Sequence, residues 1–395
     1  MIVLAFFYKR GDLMEKSMQQ LLIQAIEDRR YLHQYPEISW EEYETGEFIY
    51  QRLKSLNIEM VDIERPSVVG FLPGTKGDQT IALRADMDAL PIQEEGDKAY
   101  LSKNSGVAHV CGHDGHMAIL LAVAEYLANN RTKIKPNVKF IFQTSEEFIP
   151  SGAEHLVKLG VLDDVDAIFG IHLWQGLDKG TIGLAHGPMM ASADDFEITI
   201  EGKGGHGSAP QDAVDPIYIA SFVIQALQAI VSRQTDAGEP KVITVAEIKS
   251  GSTFNIIPSR AFLRGTVRAF SPDMITFIKQ QMEQIVIGIS ETFDAQGSLH
   301  YIDGTPPLIN DHKMSKYVEQ IIRKSFGETH QIEIVEPLMG GEDFSHYLLK
   351  KPGAFVFIGM GGEKSAYPHH HPKFDIDEDV FPTAIKYFID LVKNF

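Results

Sequence analysis

Three short strand-like runs in the first half of the chain each lead into residues that can bind a metal ion. The runs are residues 80–84, followed by Asp86 and Asp88; residues 137–142, followed by Glu146 and Glu147; and residues 166–171, followed by His172. Sites in open α/β sheets lie beyond the carboxyl ends of the strands, so we expect these side chains to face one crevice. The pattern therefore predicts an α/β fold with a mixed, mostly parallel sheet.

A second feature is the donor-rich segment 109–116, His-Val-Cys-Gly-His-Asp-Gly-His, which directly precedes the apolar run 117–127. The run is typical of a buried helix, and Gly112 and Gly115 allow tight turns, so we expect the donors on a loop at the helix N-terminus. A polar turn with a core cysteine would explain any one of these residues alone. Because His109, Cys111, His113, Asp114 and His116 occur together, a metal site is the better interpretation.

Charge and cysteine content restrict the class of partner. The chain of 395 residues is 44% apolar and has a formal net charge of −18, from 54 acidic and 36 basic residues. This charge would repel phosphate backbones and anionic lipid surfaces, so we predict no nucleic-acid or membrane partner. A single cysteine cannot form an internal disulfide, and its thiol is free to bind metal. The length suggests two domains.

The N-terminal residues do not resemble an export signal. Residues 1–8 are apolar, but they are few and run directly into Lys9 and Arg10. Such a segment is a poor signal peptide and is too short to cross a bilayer, and we see no other apolar run of spanning length. The start of translation could also lie at Met14 or Met18. We therefore expect a cytoplasmic location.

The middle of the chain has a different pattern, which predicts an inserted domain. Alternating strands and helices are predicted in the order 195–201 (strand), 216–232 (helix), 241–248 and 261–270 (strands), 272–292 (helix) and 298–303 (strand). This β-α-β-β-α-β order is ferredoxin-like, and alternation within the strands fits an antiparallel sheet with one exposed face. We predict a main domain formed by residues 1–190 and 305–395, interrupted by an α+β domain at 191–304.

The main domain needs further elements on either side of this insertion. Helical spacing predicts a helix at 18–35, which Pro36 ends, and another at 40–56, where Glu41, Glu42 and Glu44 suit the first turns. The remaining predictions are helices at 153–159, at 313–326 and from Pro382, and strands at 67–72 and 354–359. The helices between the central strands would provide the crossovers of a parallel sheet.

The potential ligands outnumber those that one metal ion needs. They are Asp86, Asp88, Cys111, His113, Asp114, Glu146, Glu147, His172 and one of His369, His370 and His371. One ion takes about four protein ligands, and the list is about double that, which suggests two ions. Carboxylate, imidazole and thiolate together admit zinc, manganese, cobalt or nickel.

The adjacent glutamates suggest a division of roles. Neighbouring residues in extended chain point in opposite directions, so only one of the pair is expected to bind metal. The other would lie beside a metal-bound water, where a carboxylate can act as general base and then as general acid. We assign Glu146 as the base and Glu147 as the ligand. A solvated glutamate pair at a strand end is the alternative.

Six motifs together carry a family resemblance. They are Ala-Leu-Arg-Ala-Asp-Met-Asp-Ala-Leu-Pro at 82–91, the segment 109–116, Ser-Glu-Glu at 145–147, Gly-Gly-His-Gly-Ser-Ala-Pro at 204–210, Asn-Ile-Ile-Pro at 255–258 and His-His-Pro-Lys-Phe at 370–374. From about Arg29 onward the chain resembles the M20 metallo-amidohydrolases and peptidases, most closely the aminoacylase-like branch with its N-acyl-amino-acid, hippurate and auxin-conjugate hydrolases. The resemblance implies hydrolysis of the amide bond of small N-acyl amino acids, with Glu146 as general base on a metal-bound water.

The same resemblance implies specific ligands and a role for the inserted domain. The dinuclear centre would be held by Cys111, His113, Glu147, His172 and His370. The inserted domain would act as a lid and dimerise, and His206 would reach the substrate carbonyl, often from the neighbouring subunit of a homodimer. Further roles are carried over or inferred. Asn255 would bind the amide and Arg268 the substrate carboxylate, while Asp86 and Asp88 would orient the metal ligands or the base. The alternative for His206 is a histidine that caps its own turn, and the alternative for Arg268 is a paired surface arginine.

Several alternatives stay open at this level. His369 or His371 would satisfy the chemistry of the last ligand as well as His370. A dipeptidase of the same superfamily is the nearest competing function, although the resemblance places an acidic ligand near position 111 in the peptidases. A catalytically silent binding protein is less consistent with the presence of Glu146, and a structural metal site would be closed by about four ligands.

Overall fold

The computed structural model describes residues 12–327 and 331–395, so the predicted N-terminal segment 1–8 lies outside the described residues. The chain divides into two compact units. The first contains the described residues up to Gly187, with Asn310–Glu336 and His346–Phe395, and the second contains Pro188–Ile309 and Pro337–Ser345. The predicted boundaries fell after residues 190 and 304, and the prediction had not separated 337–345 from the rest of the C-terminal part.

Within the described residues there are nine α-helices. They are α1 (Asp12–Gln34), α2 (Tyr43–Ser55), α3 (His113–Asn129), α4 (Gly152–Lys158), α5 (Pro216–Arg233), α6 (Pro272–Thr292), α7 (His312–Phe326), α8 (Ser345–Leu348) and α9 (Phe381–Asn394). The starts of α5 and α6 follow from their sequence. Each has proline at its first position and an N-cap, Asp215 or Ser271, whose side chain accepts a hydrogen bond from a backbone N–H of the first turn.

The same residues form sixteen strands. These are β1 (Glu59–Val61), β2 (Val68–Leu72), β3 (Thr80–Asp86), β4 (Asn137–Gln143), β5 (Ala167–Asp178), β6 (Thr181–Leu184), β7 (Pro188–Met190), β8 (Ala193–Glu201), β9 (Gly205–His206), β10 (Lys241–Ser250), β11 (Ile256–Ile257), β12 (Arg260–Ala269), β13 (Gln296–Thr305), β14 (Leu308–Ile309), β15 (Gln331–Ile334) and β16 (Gly353–Gly361).

The first unit is built on one mixed sheet of eight strands, in the order β1-β2-β4-β3-β5-β16-β6-β15. The central strands β4, β3, β5 and β16 are parallel to one another. In this register Asp86, the last residue of β3, lies beside Gln143, the last residue of β4. The carboxyl ends of the central strands therefore meet at one edge, and the predicted mostly parallel sheet is confirmed.

Burial on both faces explains the continuous apolar runs of this unit. All seven residues of β3 are buried, as are twelve consecutive residues of α3 from His113 to Ala124. Helix α3 packs against the sheet on one side and against α1 and α9 on the other. A helix enclosed in this way has no polar face, which is why residues 117–124 are apolar all round.

The second unit confirms the ferredoxin-like prediction. Its main sheet has the order β10-β12-β8-β13, with every neighbouring pair antiparallel. In β8 the residues alternate between buried and partly exposed from Ala193 to Ile200. The buried side chains pack against α5 and α6, and they form a core separate from that of the first unit.

Three predicted boundaries were wrong in ways that matter for the site. Strand β5 continues to Asp178 because it pairs with β16, so His172 lies inside the strand and not after it. Helix α3 begins at His113 and not at residue 117, and α2 begins at Tyr43 and not at residue 40. His172 therefore lies within a strand, His113 lies in the first turn of a helix, and Glu42 directly precedes α2.

One helix corrects the expectation that no further apolar run reaches spanning length. Among the described residues, α5 is the single helix that is long and apolar enough to cross a membrane by length and composition. One side of it, including Ile219, Val223, Leu227 and Ile230, is buried in the core of the second unit. This packing explains the apolar character of that side without a membrane.

Candidate metal centre

The segment around Cys111 is shaped by two glycines with different functions. Gly112 has a φ of 106°, in the left-handed region that favours glycine, and it places Cys111 directly before the first turn of α3. Gly115 is helical, and a Cβ there would lie 2.7 Å from side-chain carbons of Leu173 and Ile376. The prediction that both glycines serve tight turns was therefore wrong for Gly115, which allows close packing.

His113 has the hydrogen-bonding pattern of a metal ligand. Its Nδ1–H donates to the carbonyl oxygen of Asp88 at 2.8 Å, which leaves the lone pair of the neutral ring on Nε2. Within the part of the chain that the structure describes, this buried Nε2 has no hydrogen-bond partner. It lies 4.0 Å from Glu146 Oε2 and 3.9 Å from Glu147 Oε1. A cation between these groups would satisfy all three.

His172 shows the same arrangement on the neighbouring strand. Its Nδ1–H donates to the carbonyl oxygen of Leu173 at 2.8 Å, and its Nε2 lies 3.6 Å from the Sγ of Cys111. Burial holds the pKa of His172 well below its usual value, so the ring is neutral and Nε2 has a lone pair. The thiol and the imidazole thus present two soft donors to one point.

The three consecutive histidines have three different environments. His369 Nε2–H donates to the carbonyl oxygen of Leu173 at 3.0 Å, and its ring stacks on Trp174. His371 Nδ1 accepts the backbone N–H of Lys373 at 3.0 Å. His370 differs from both, because its Nε2 approaches Glu147 Oε1 at 3.1 Å.

The backbone supports the position of His370. Its φ is 65°, which is uncommon for a residue with a side chain, and its N–H donates to the carbonyl oxygen of Val110 at 2.8 Å. This hydrogen bond ties the histidine to the residue that precedes Cys111. The donor atoms of Cys111, Glu147 and His370 consequently lie within 4.8 Å of one another.

The donors form two triads with one member in common. One triad is Cys111, His113 and His172, and the other is Cys111, Glu147 and His370; in each, all donor atoms lie within 4.8 Å of one another. Since Cys111 belongs to both, the triads could hold two ions that share the thiolate. The spacing of about 3.5–4 Å found in two-metal sites is compatible with one bridging ligand.

The two glutamates do not point in opposite directions as predicted. Ser145 has a φ of 48°, so the chain bends after β4 and does not continue in extended form. Both carboxylates approach His113 as a result. Glu147 is a member of the triad with Cys111 and His370, and both glutamates lie with His113 in a further group whose donor atoms are within 4.8 Å of one another.

The nearby aspartates and His116 are engaged with other groups. Asp86 accepts hydrogen bonds from Arg84 and from His116 Nδ1, each at 2.7 Å, and His116 Nε2 accepts the N–H of Leu173. His116 therefore has no free lone pair for a metal. Asp88 accepts from Ser39 Oγ at 2.6 Å and from the N–H of Glu147 at 3.0 Å.

Asp114, another residue of the candidate list, faces away from the triads. Its Oδ2 accepts from Arg29 Nε at 2.7 Å and lies 2.8 Å from His33 Nδ1, and all three side chains are buried. Arg29 also pairs with Asp375 and Glu378. Asp114 thus links α3 to α1 and to the C-terminal segment.

The electrostatics of the site fit bound cations. Burial alone would lower the pKa of His113, but the carboxylates of Asp86 and Asp88 outweigh it and raise that pKa to about 10. Burial, and then the charges of Glu147 and Glu146, raise the pKa of the Cys111 thiol well above its usual value. The site therefore has an excess of negative charge, which divalent ions would neutralise, allowing Cys111 to bind as a thiolate.

The predicted substrate-binding residues lie in the second unit. His206 is exposed, pairs with Ile256 across the β9/β11 ribbon, and accepts the N–H of Ser208 on Nδ1 at 3.2 Å. Asn255 is exposed on the same ribbon. Arg268 is half-buried near the far end of β12, where its guanidinium donates to the carbonyl oxygen of Val267 at 2.9 Å.

Sequence reasoning missed the residues that support the site. Glu42 was interpreted as an acid in the first turn of a helix, but it is buried and its carboxylate accepts the N–H of Ser145 at 2.9 Å. Ser39 and Thr144 were not considered. Nothing in the sequence distinguishes a helix-start glutamate from one that reaches 103 residues along the chain.

The first unit has a mixed sheet, at which thiol, imidazole and carboxylate groups converge, and the second is an inserted ferredoxin-like unit. These features define a two-unit α/β class of protein with a cluster of metal-binding side chains. The model of Peptidase family M20/M25/M40 matches residues 82–394, and the chain belongs to this family.

Relatives cover almost the whole chain. The N-acetyl-L-cysteine deacetylase of Bacillus subtilis is 39% identical over 374 residues, which is 94% of this chain and 88% of the relative. Thermostable carboxypeptidase 1 of Saccharolobus solfataricus is 38% identical over 380 residues, covering 93% and 95%. The crystal structure of Bacillus subtilis YXEP protein, described as a dinuclear metal binding peptidase from the M20 family, is 35% identical with a TM-score of 0.84, covering 95% of this chain and 98% of that one.

Proposed function

We propose that the protein hydrolyses the amide bond of small N-acyl amino acids with the help of two divalent metal ions. The observation that carries this proposal is the pair of triads that share Cys111, with Glu146 beside them but in neither. The proposed ligands are Cys111, His113, Glu147, His172 and His370. The metal could be zinc, manganese, cobalt or nickel, because the mixed donor set admits each of them.

The chemistry divides between the ions and one carboxylate. When bound, two such ions activate water as a nucleophile and polarise a substrate carbonyl. Glu146 would accept the proton of the attacking water on a carboxylate oxygen and deliver it to the departing amine nitrogen. Asp88 would orient His113 through its carbonyl oxygen and the N–H of Glu147 through its carboxylate.

The relatives narrow the class of substrate. One is named a deacetylase of N-acetyl-L-cysteine and another a carboxypeptidase. Both names describe removal of an acyl group from the amine of an amino acid that has a free carboxylate. We therefore propose such a carboxylate as the common part of the substrate, and a small acyl group as the variable part.

The second unit would contribute groups that bind the substrate. Because Nδ1 of His206 accepts the N–H of Ser208, a neutral ring has its proton on Nε2, which can donate to a carbonyl oxygen as negative charge develops there. Asn255 would bind the amide, and Arg268 the substrate carboxylate. Among the described residues Arg268 donates to the backbone oxygens of Asp194 and Val267 and to the hydroxyl of Thr266, which are all neutral, so its charge is available for an anion.

The positions of these residues support a homodimer. His206 lies next to the start of β12, since Gly202 bonds to Ser259 and Ile256 pairs with His206. Arg268 lies eight residues after Arg260 along β12, a distance of about 27 Å at about 3.4 Å per residue. One small substrate cannot bridge this distance, so we propose that His206 and Asn255 act in the neighbouring subunit. The cytoplasmic location predicted from the sequence stays a prediction.

A substrate panel tests the function. Metal-free protein would be reconstituted separately with zinc, manganese, cobalt and nickel, and assayed with acetyl, benzoyl and indoleacetyl amino acids and with dipeptides. We expect turnover of N-acyl amino acids that requires added metal and a free carboxylate. Faster turnover of dipeptides would favour the alternative function, which the carboxypeptidase relative supports. Stoichiometric binding without any product would indicate a catalytically silent protein.

A further inference from the structure

Residues 37–42 run beneath the bend that presents the two glutamates. The N–H of Ala89 donates to the carbonyl oxygen of Glu37 at 2.8 Å, and Ile38 forms a bridge with Ala89, which fixes this segment beside the end of β3. Ser39 then donates to Asp88 at 2.6 Å. The segment therefore contacts the residues that orient His113 and Glu147.

Glu42 makes the contacts nearest to the bend. It is fully buried, one carboxylate oxygen accepts the N–H of Ser145 at 2.9 Å, and the other lies 2.5 Å from the hydroxyl of Thr144. The same hydroxyl also accepts the N–H of Trp40 at 3.3 Å. Two consecutive residues directly before Glu146 are thus held by residues 40–42.

The bend needs this support because of its backbone conformation. Ser145 has a φ of 48°, in the left-handed region that is unfavourable for a residue with a side chain. A residue in this region persists only where its surroundings fix it. The hydrogen bond from the Ser145 N–H to Glu42 is such a constraint, and the direction of both following carboxylates depends on it.

We propose that Glu42, acting with Thr144, is a positioning residue for the reaction, which holds Ser145 in its left-handed conformation so that Glu146 and Glu147 both face His113. The proposal rests on the proposed function, since it assigns Glu42 a role through the base and the ligand. Glu42 itself touches neither substrate nor metal in this assignment.

The charge state of Glu42 determines which substitution preserves the contacts. Burial, and then the negative charge of Asp88, raise the pKa of Glu42 to about 8. The side chain is therefore mostly protonated at pH 7, and its two oxygens accept hydrogen bonds from the N–H of Ser145 and from the hydroxyl of Thr144. Glutamine has the same shape and no charge; its amide oxygen can accept from the N–H of Ser145, and its N–H can donate to the hydroxyl oxygen of Thr144, so both contacts are kept.

The test compares four variants of the full-length, metal-loaded protein at pH 7: Glu42→Ala, Glu42→Gln, Thr144→Val and, as a matched control, Glu41→Gln. Glu41 is the neighbouring exposed acid. We expect Glu42→Ala to lower kcat by roughly 10- to 100-fold with KM changed less than threefold, and to weaken metal binding to the metal-free protein roughly tenfold, as for loss of an outer-shell partner. Glu42→Gln should keep kcat within threefold, and Thr144→Val should lower it about five- to tenfold, the loss from one neutral hydrogen bond.

The results separate this proposal from the proposed function. A kcat for folded Glu42→Ala or Thr144→Val within twofold of the Glu41→Gln control overturns the positioning role, as does a Glu42→Gln variant as impaired as Glu42→Ala. If Glu42→Ala does not fold, Thr144→Val decides alone. A Glu146→Gln variant measured in parallel tests the function itself, because full activity in that variant removes the base regardless of how Glu42 behaves.

Discussion

The candidate residues of the two units differ in how far the fold has already fixed them. In the first unit His113 and His172 each have Nδ1 bound to a backbone carbonyl, so that Nε2 is directed toward Cys111 and the glutamates. In the second unit His206 and Asn255 are exposed on a short two-stranded ribbon. Metal ligands must converge within a few tenths of an ångström before the ion binds, whereas substrate contacts can be completed on binding.

The largest effect should come from Glu146, the member of the adjacent glutamate pair that belongs to neither Cys111 triad. We expect Glu146→Gln to lower kcat by about 10³-fold, because proton transfer by a positioned group contributes about 10²–10⁴-fold. Metal content and melting temperature should stay at wild-type values, since Glu146 is not a proposed ligand. Steady-state kinetics with elemental analysis would check this, and wild-type turnover would remove the assignment.

The next effect concerns the shared thiol. Cys111→Ala should weaken binding of both ions by roughly 100-fold or more, because the bridging position contributes to each triad and even outer-shell losses cost about 10–100-fold. Metal content after dialysis is the measurement. Unchanged occupancy would show that the two triads do not depend on Cys111.

Chelation of the wild-type protein should lower the melting temperature of the first unit and leave that of the second unchanged.

A smaller effect, in catalysis alone, is expected in the second unit. His206→Ala should lower kcat by about 10², the loss reported for removal of one oxyanion donor, without changing metal content or stability. Mixing inactive His206→Ala and Glu146→Gln subunits should then restore part of the activity if the residue acts across a dimer. No recovery would restrict His206 to its own subunit and would contradict the homodimer argument.

The smallest effect is on stability and concerns two helical glycines, Gly115 in the first unit and Gly288 in the second. Gly115→Ala should destabilise the protein by about 1–3 kcal/mol, because its Cβ would overpack Leu173 and Ile376. Gly288→Ala in α6 should stabilise it by about 0.5–1 kcal/mol, since no atom of another described element lies within 4 Å of that Cβ. Thermal unfolding of both variants with saturating metal is the measurement. Equal shifts in the melting temperatures of the two variants would show that the packing around Gly115 has room for a Cβ.

Local sequence signals were sufficient for most of the fold. Apolar runs predicted the central strands, and the predicted starts of α5 and α6 at residues 216 and 272 agree with the structure. The family resemblance was confirmed by the match over residues 82–394. The candidate list from the sequence also contained every member of both triads, with the last as one of three consecutive histidines, of which the family resemblance indicated His370.

The remainder depends on contacts between distant residues. Strand β5 extends past His172 only because β16, from much later in the chain, pairs with it. The bend at Ser145 changes the expected directions of Glu146 and Glu147, and its N–H is bonded to Glu42, which directly precedes α2. The strand at 354–359 was predicted, but its pairing with β5 and the contact of Glu42 with Ser145 leave no local pattern, so periodicity and propensity could not predict them.

The position of β16 has a consequence for protein synthesis. This strand lies between β5 and β6 in the sheet, and Arg29 is fully buried against Asp375 and Glu378. A nascent chain that has left the ribosome only as far as Ile309 already contains the four strands of the main sheet of the second unit and its helices α5 and α6. The eight-stranded sheet of the first unit still lacks β16 between β5 and β6. The sheet of the first unit is therefore completed only after β16 is made, and Arg29 of α1 can form its ion pairs only once Asp375 and Glu378 have been synthesised.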